Sequence, residues 1–290
     1  MVSLGLAVDL DAPFPELVER ATTGEALGFD TIYVPDHSRP WRHDPEPGGV
    51  WFDGWTALTT FVRATSRARV GTLVSNPVLR PPGLLVREAL AVDHLSAGRL
   101  QLGIGTGIAG FDHEATGTPY WPIAERLARF REYVAFVDAA LRAVGTFTAS
   151  GPHFSGKLTG LPPPVQTPRP PITVAGASRG VRAVAVARAE CWNTHGAFGV
   201  GPDDIVEHLA SLNRDVSERC EAAGRDPASL CRSVLLLGAL SPWTRRSRLA
   251  GLVEEMSAIG FEEVVVFWPW TDAERAVFEH DAPQVIALTR

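Results

Sequence analysis

Eight short apolar strands, each followed by a helix, predict for this chain of 290 residues an α/β fold of the (β/α)8 TIM-barrel class. Two further observations point the same way. No change of composition or linker divides the chain into halves, and no repeat of roughly 20–50 residues marks a solenoid. A doubly wound sheet is the alternative, and the count of eight units favours the barrel.

The first strand is SLGLAVD, from Ser3 to Asp9. Pro13–Leu27 follows as an amphipathic helix with Leu17, Ala21 and Leu27 inward, ended by Gly28. Thr31–Val34 is the second strand and runs into Pro35-Asp36-His37. The polar loop SRPWRHDPEPGGVWFDG then leads to a helix from Trp55 to Thr65. Val70–Val74 is the third strand, after which Asn76-Pro77 and Pro81-Pro82 mark a long turn. LLVREALAVDHL, residues 84–95, spaces its apolar side chains by three and four, as a helix does. Ser96-Ala97-Gly98 breaks that helix, and RLQLGIG from Arg99 alternates Leu100, Leu102 and Ile104 as the fourth strand. It ends in GIGTG, where missing side chains let a ligand approach the backbone.

The pattern loosens after Gly107. Gly105-Thr106-Gly107-Ile108-Ala109-Gly110 matches the dinucleotide fingerprint GxGxxG, which requires a helix opening on its last glycine. The continuation FDHEATGTPYWP, with Gly117, Pro119 and Pro122, predicts no helix there. The glycines are read instead as lining a pocket at a strand end. Ile123–Val144 is one long helix with Leu127, Phe130, Val134, Val137 and Leu141 on one face. The Arg and Glu residues of 125–132 read as its solvated or interface face. Residues 145–171, rich in Gly and Pro, read as an excursion in the form of a hairpin. Regular alternation resumes with strand Ile172–Ala175, a helix through Ala189, strand Cys191–Thr194 and helix Asp203–Ala223. Strand Ser233–Leu240, helix Arg245–Ile259, strand Glu263–Phe267 and helix Asp272–Thr289 complete the eight units.

Composition narrows the function. A net charge of −6 without a basic block argues against nucleic-acid binding. Three cysteines, Cys191, Cys220 and Cys231, lack metal-ligand spacing and suit a reducing cytoplasm. The N-terminus reads as no signal peptide, and no run reaches the roughly 18 apolar residues of a membrane helix. A soluble, cytoplasmic protein is expected.

Chemistry in a barrel belongs at the C-terminal strand ends. Those ends carry Asp9, Asp36-His37 with Trp41 beyond, Leu73-Val74-Ser75-Asn76, Thr106-Gly107-Ile108, Gly176–Gly180, Thr194-His195-Gly196 and Trp268-Pro269-Trp270. They are aromatic and apolar, with neither a metal cluster nor a Ser-His-Asp spacing. Such a pocket suits a large flat cofactor better than hydrolysis. His37 is the candidate acid or base, although a neighbouring Asp36 could simply satisfy it. His94 lies on a helix away from the pocket and reads as structural.

The segments VPDHSRPW, VGTLVSNPVLRPP, DHLSAGRLQLGIGTG, ITVAGAS and VVVFWPW, in that order, resemble the luciferase-like monooxygenase superfamily. Within it they most resemble the branch that uses the deazaflavin coenzyme F420. The resemblance implies a single TIM-barrel domain over residues 1–290, with an insertion region after strand four at about 108–171. It implies His37 as acid or base beside the hydride-carrying carbon and Asp36 near the ring. Leu73-Val74 would form a non-proline cis peptide behind the ring, with Asn76, Thr106 and Gly107 as further cofactor contacts. Ala177, Ser178, Gly180 and Val181 would take the ribityl-phosphate end, where a helix N-terminus offers free N–H groups. Trp41 would stand near the substrate; Ile108, His195 and Trp268, also at strand ends, are the other substrate-side candidates.

The function this implies is hydride transfer between F420 and a small organic substrate, with no nucleic-acid or membrane partner and with a homodimer as the assembly. An FMN-dependent monooxygenase using the same pocket is the alternative, and a catalytically silent flavin-binding barrel is another. Two departures argue against sugar-phosphate oxidation. Ile108 stands where the sugar-phosphate dehydrogenases of the branch carry a catalytic glutamate, and THGAFG holds no counterpart to their phosphate-binding lysine.

Overall fold

The computed structural model describes residues 2–41, 49–195, 200–201, 204–237, 242–244 and 248–289. The chain alternates through β1 (Ser3–Ala7), α1 (Phe14–Leu27), β2 (Thr31–Val34), α2 (Gly54–Ala64), β3 (Arg69–Ser75), α3 (Pro82–Leu95) and β4 (Leu100–Ile104). Two helices and two strands then intervene: α4 (Gly110–Thr116), α5 (Ile123–Arg142), β5 (Gly145–Ser150) and β6 (Ser155–Leu161). Alternation resumes with β7 (Ile172–Ala175), α6 (Arg179–Arg188), β8 (Cys191–Thr194) and α7 (Ile205–Ala222). It ends with β9 (Cys231–Leu235), α8 (Arg248–Ala258), β10 (Glu263–Phe267) and α9 (Asp272–Leu288). A closed barrel runs β1-β2-β3-β4-β7-β8-β9-β10 and returns to β1 through parallel pairs. The predicted (β/α)8 barrel is therefore the fold.

Strand alternation sorts the side chains into two cores. Outward residues such as Leu4, Leu6, Ile32, Leu102, Val264 and Val266 meet the helices in the main apolar core. Each such side chain, fully buried, contributes roughly 1.5–3 kcal/mol. Inward residues Ala7, Tyr33 and Val265 form a smaller cluster joined by Leu73, Leu235 and Phe267. Gly5 makes room for the Tyr33 ring, because a Cβ there would stand 2.9 Å from it. The Tyr33 hydroxyl donates to Glu263 Oε1 at 2.9 Å, and Ser233 Oγ donates to Glu263 Oε2 at 2.5 Å. Asn193 Nδ2 donates to Ser233 Oγ at 2.8 Å. This satisfied polar layer fills the barrel interior below the strand ends.

Between β4 and β7 the predicted hairpin forms, with β5 and β6 paired antiparallel outside the barrel. The stretch after GIGTG differs from expectation. A short helix, α4, does open on Gly110 and ends at Gly117, whose φ of +67° is the left-handed cap. Gly117 and Pro119 stop the helix from continuing, but they lie beyond it and leave seven residues free to form it. The dinucleotide reading still fails, since the sheet is a closed barrel. The strand expected from Ser233 begins instead at Cys231 and ends at Leu235. The expected strand end at Leu240 and the helix starts at Asp203 and Arg245 lie outside the described residues, as do most of the loop after Trp41 and most of THGAFG.

Candidate active site

A cavity of about 620 Å³ opens at the C-terminal strand ends. Ligand pockets span roughly 300–1,000 Å³. From β2 and the turn after it come His37 and Trp41, and from β3 come Leu73, Val74 and Asn76. Thr106, Gly107 and Ile108 follow β4; Ala177, Ser178 and Val181 follow β7; His195 follows β8. The Leu73–Val74 peptide is cis, as expected, and the β3–β4 register shifts across it between Thr72 and Ser75.

Three expected site residues do not line the cavity, and alternation explains two. Pro35 and His37 face it, so Asp36 between them turns away. Its carboxylate is 1% exposed and meets Arg80, with Nε and Nη2 each donating at 3.1 Å. Phe267 faces the cavity, so Trp268 faces outward and packs at a tilt against Phe278 of α9, with ring centroids 5.1 Å apart. Gly180 lies on the face of α6 that meets Leu127, where a Cβ would come within 2.3 Å.

His37 is held from several sides, and its acidic partner is Asp112, 75 residues away. His37 Nδ1 lies 2.7 Å from Asp112 Oδ2. Ser38 donates to Asp112 Oδ1 from its backbone N and its hydroxyl, each at 2.7 Å, and Asn76 Nδ2 donates to Oδ2 at 2.6 Å. Burial alone would raise the Asp112 pKa, but the hydrogen bonds from His37 and Ser38 outweigh it and leave the carboxyl below its ordinary value. An ionised carboxylate only accepts, so Nδ1 carries the hydrogen. Nε2 has no protein partner among the described residues. Trp41 and Phe111 pack on the imidazole, with ring centroids at 5.2 and 5.6 Å, and Trp51 Nε1 donates to the His37 carbonyl at 2.8 Å. Helix α4 supplies both Phe111 and Asp112, so sequence reasoning that allowed no helix there had no route to Asp112. On the cavity's other histidine, His195, burial holds the pKa below the ordinary imidazole value.

A second charged group lies behind this one. Arg80 meets Asp36, Glu88 at 2.8 Å, and Asp53, the N-cap of α2. One guanidinium cannot neutralise three carboxylates. Burial, with Asp36 and Asp53 nearby and against the pull of Arg80, pushes Glu88 up to about 7. Asn76 joins the two groups: its backbone N donates to Asp36 at 3.0 Å while its side chain holds Asp112.

Residues 3–240 match the luciferase-like monooxygenase family. The chain belongs to that family. Among relatives, it is 30% identical over 226 residues to the F420-dependent glucose-6-phosphate dehydrogenase of Kineococcus radiotolerans, covering 76% of this chain and 62% of that protein. It is 33% identical over 159 residues to the enzyme of the same name from Beutenbergia cavernae, covering 54% of this chain and 46% of that one. The chain thus spans about half to three-fifths of the length of these curated relatives. An F420-dependent secondary alcohol dehydrogenase, solved with an F420-acetone adduct, shares the fold with a TM-score of 0.77 at 17% identity, covering 98% of this chain and 99% of its own.

The residues fit the flat, phosphate-bearing cofactor that the family resemblance implies. Leu73, Val74, Leu235 and Phe267 give an apolar surface, and Gly105 and Gly107 add no side chains to it. At one edge stands the N-terminus of α6, capped by Ser178 Oγ, which accepts from Val181 N at 3.4 Å. The first-turn N–H groups there have no intrahelical acceptor and suit an anion.

Proposed function

We propose that this protein is an oxidoreductase that uses the deazaflavin coenzyme F420 to move a hydride to or from a small organic substrate. One observation carries the proposal: an imidazole on the cavity wall, fixed through Nδ1 by a buried carboxylate, with Nε2 unpartnered among the described residues. The F420-dependent relatives support the choice of cofactor.

When bound, the deazaflavin supplies a carbon that takes up or releases hydride. Oxidising an alcohol also releases a proton, and reducing a carbonyl requires one, so a positioned acid or base is needed. His37 fills that role at Nε2. Asp112 keeps hydrogen on Nδ1 and so confines proton exchange to the other nitrogen, while Ser38 and Asn76 hold Asp112 in place. Asp36 supports the site from behind through Arg80 and Asn76. Trp41 and Ile108 form the substrate side, with His195 beside them. Ile108, half exposed at 51%, offers neither a charge nor a proton, which argues against a sugar-phosphate substrate.

The test is a titration of purified protein against F420 and FMN, followed by tryptophan fluorescence. F420 should bind more tightly. Tight FMN binding with no quenching by F420 would overturn the proposal in favour of a flavin monooxygenase. The reading carries a homodimer with it, which molar mass by light scattering tests.

A further inference from the structure

The first turns of α5 border the cavity through Ile123, Arg126 and Leu127. The spacing of three and four puts them on one helix face. Ile123 is 78% exposed, whereas Arg126 is only 8% exposed. The sequence pattern places Arg126 on a solvated or interface face; the structure withdraws it from water and turns it to the cavity. Its Nη1 donates to the Tyr120 hydroxyl at 3.0 Å, and Tyr120 in turn donates to the Ile108 carbonyl at 3.3 Å. No carboxylate pairs with it among the described residues. Of the other buried arginines, Arg80, Arg169 and Arg182 meet carboxylates, Arg169 reaching Asp138 at 2.7 Å and Glu190 at 2.6 Å. Arg232 has none among the described residues, but it donates to Asn213, Ser217 and the Leu230 carbonyl inside the protein and does not line the cavity. A guanidinium taken out of water without a counter-charge is costly, and an arriving anion relieves that cost.

We propose that Arg126 is the anion-recognition residue of the cavity, taking a phosphate or carboxylate carried by the ligand that fills it. The planar guanidinium suits either group, since both accept two parallel N–H bonds. The anion can come from the cofactor's phosphodiester chain or from an acidic substrate. The cofactor arm of the test rests on the F420 reading.

Dissociation constants for F420 and for its phosphate-free deazariboflavin core separate the sources, in wild type, Arg126→Met and Arg126→Lys. If the cofactor supplies the anion, Arg126→Met weakens F420 by roughly 30-fold or more and leaves the core unchanged, with Arg126→Lys between. If the substrate supplies it, neither affinity moves. Inorganic phosphate then binds the F420-loaded wild type and is lost in Arg126→Met. Should Arg126→Met not fold, as judged by its thermal melt, Arg126→Lys against wild type carries both arms. An unchanged ratio of F420 to core affinity, with no Arg126-dependent phosphate binding, overturns the proposal. A wild type that binds only FMN removes the F420 reading instead, and FMN against riboflavin then runs the same arms.

Discussion

Asp112 and Arg126 are both charged and both buried, at 0% and 8% exposure, and both lie between β4 and β7. Their surroundings differ. Asp112 is completed within the protein by His37, Ser38 and Asn76. Among the described residues Arg126 meets one phenol, and it opens onto the cavity. A completed charge orients its neighbours; an incomplete one leaves its interaction for something that arrives. Burial alone does not separate the two roles, but the partners do.

The largest expected effect tests the oriented group itself. On a confirmed substrate, His37→Ala should lower turnover by roughly 10²–10⁴-fold, the usual worth of a general acid or base, with cofactor affinity little changed. Unchanged turnover would leave Asp112 orienting nothing of catalytic use. Asp112→Asn comes next. It keeps the shape and removes the charge, so Nδ1 no longer has to carry the hydrogen. Turnover should fall by roughly 10–100-fold, the scale known for partners that orient ligating histidines. KM should hold while the pH profile of turnover shifts; a variant that loses only thermal stability would make Asp112 merely structural.

Stability against pH gives a smaller contrast. Asp112 is held below its ordinary pKa, so its contribution is present above the unfolded value and is lost as pH falls through the folded one. Glu88 runs the opposite way. Its folded value of about 7 lies above the ordinary 4.5, so the folded state keeps a proton that the unfolded state loses. Stability from this group therefore falls as pH rises between those values and levels off above them. Glu88→Gln should flatten that slope and raise Tm above pH 7 by about 2–4 °C, the shift made by ~1 kcal/mol after allowing for solvent screening. A slope identical to wild type in a set of thermal melts would refute it. The smallest effect is expected from Trp268→Phe, which faces α9 and removes an indole N–H without a partner among the described residues. Ligand affinity should stay as it is, and a loss in titration would return Trp268 to the cavity wall.

The barrel was legible because strand and helix periods repeat eight times, and because GIGTG and the cis Leu73–Val74 peptide lie where the family resemblance implies. His37 was legible at a strand end next to an aspartate, but the wrong aspartate suggested itself. Alternation at the end of β2 sends Asp36 backward to Arg80, while Asp112 arrives from a helix too short to show a clear period. Arg126 was hidden for a related reason. Helical periodicity assigns a charged residue to the outside, and only the approach of the first turns of α5 to the barrel mouth makes that side an inside.

The placing of α4 has a consequence for remodelling the protein. Ile108, which lines the cavity and which we place on the substrate side, and Asp112, which anchors His37, sit on one short segment leaving β4. Exchanging that segment with a relative's to alter substrate choice would also exchange the anchor of the imidazole. Recombination boundaries drawn before Ile108 and after Thr116 would carry selectivity and proton handling together as one heritable block. A boundary between them would part the anchor from the loop that aims it, and such chimaeras would fold with a misdirected histidine.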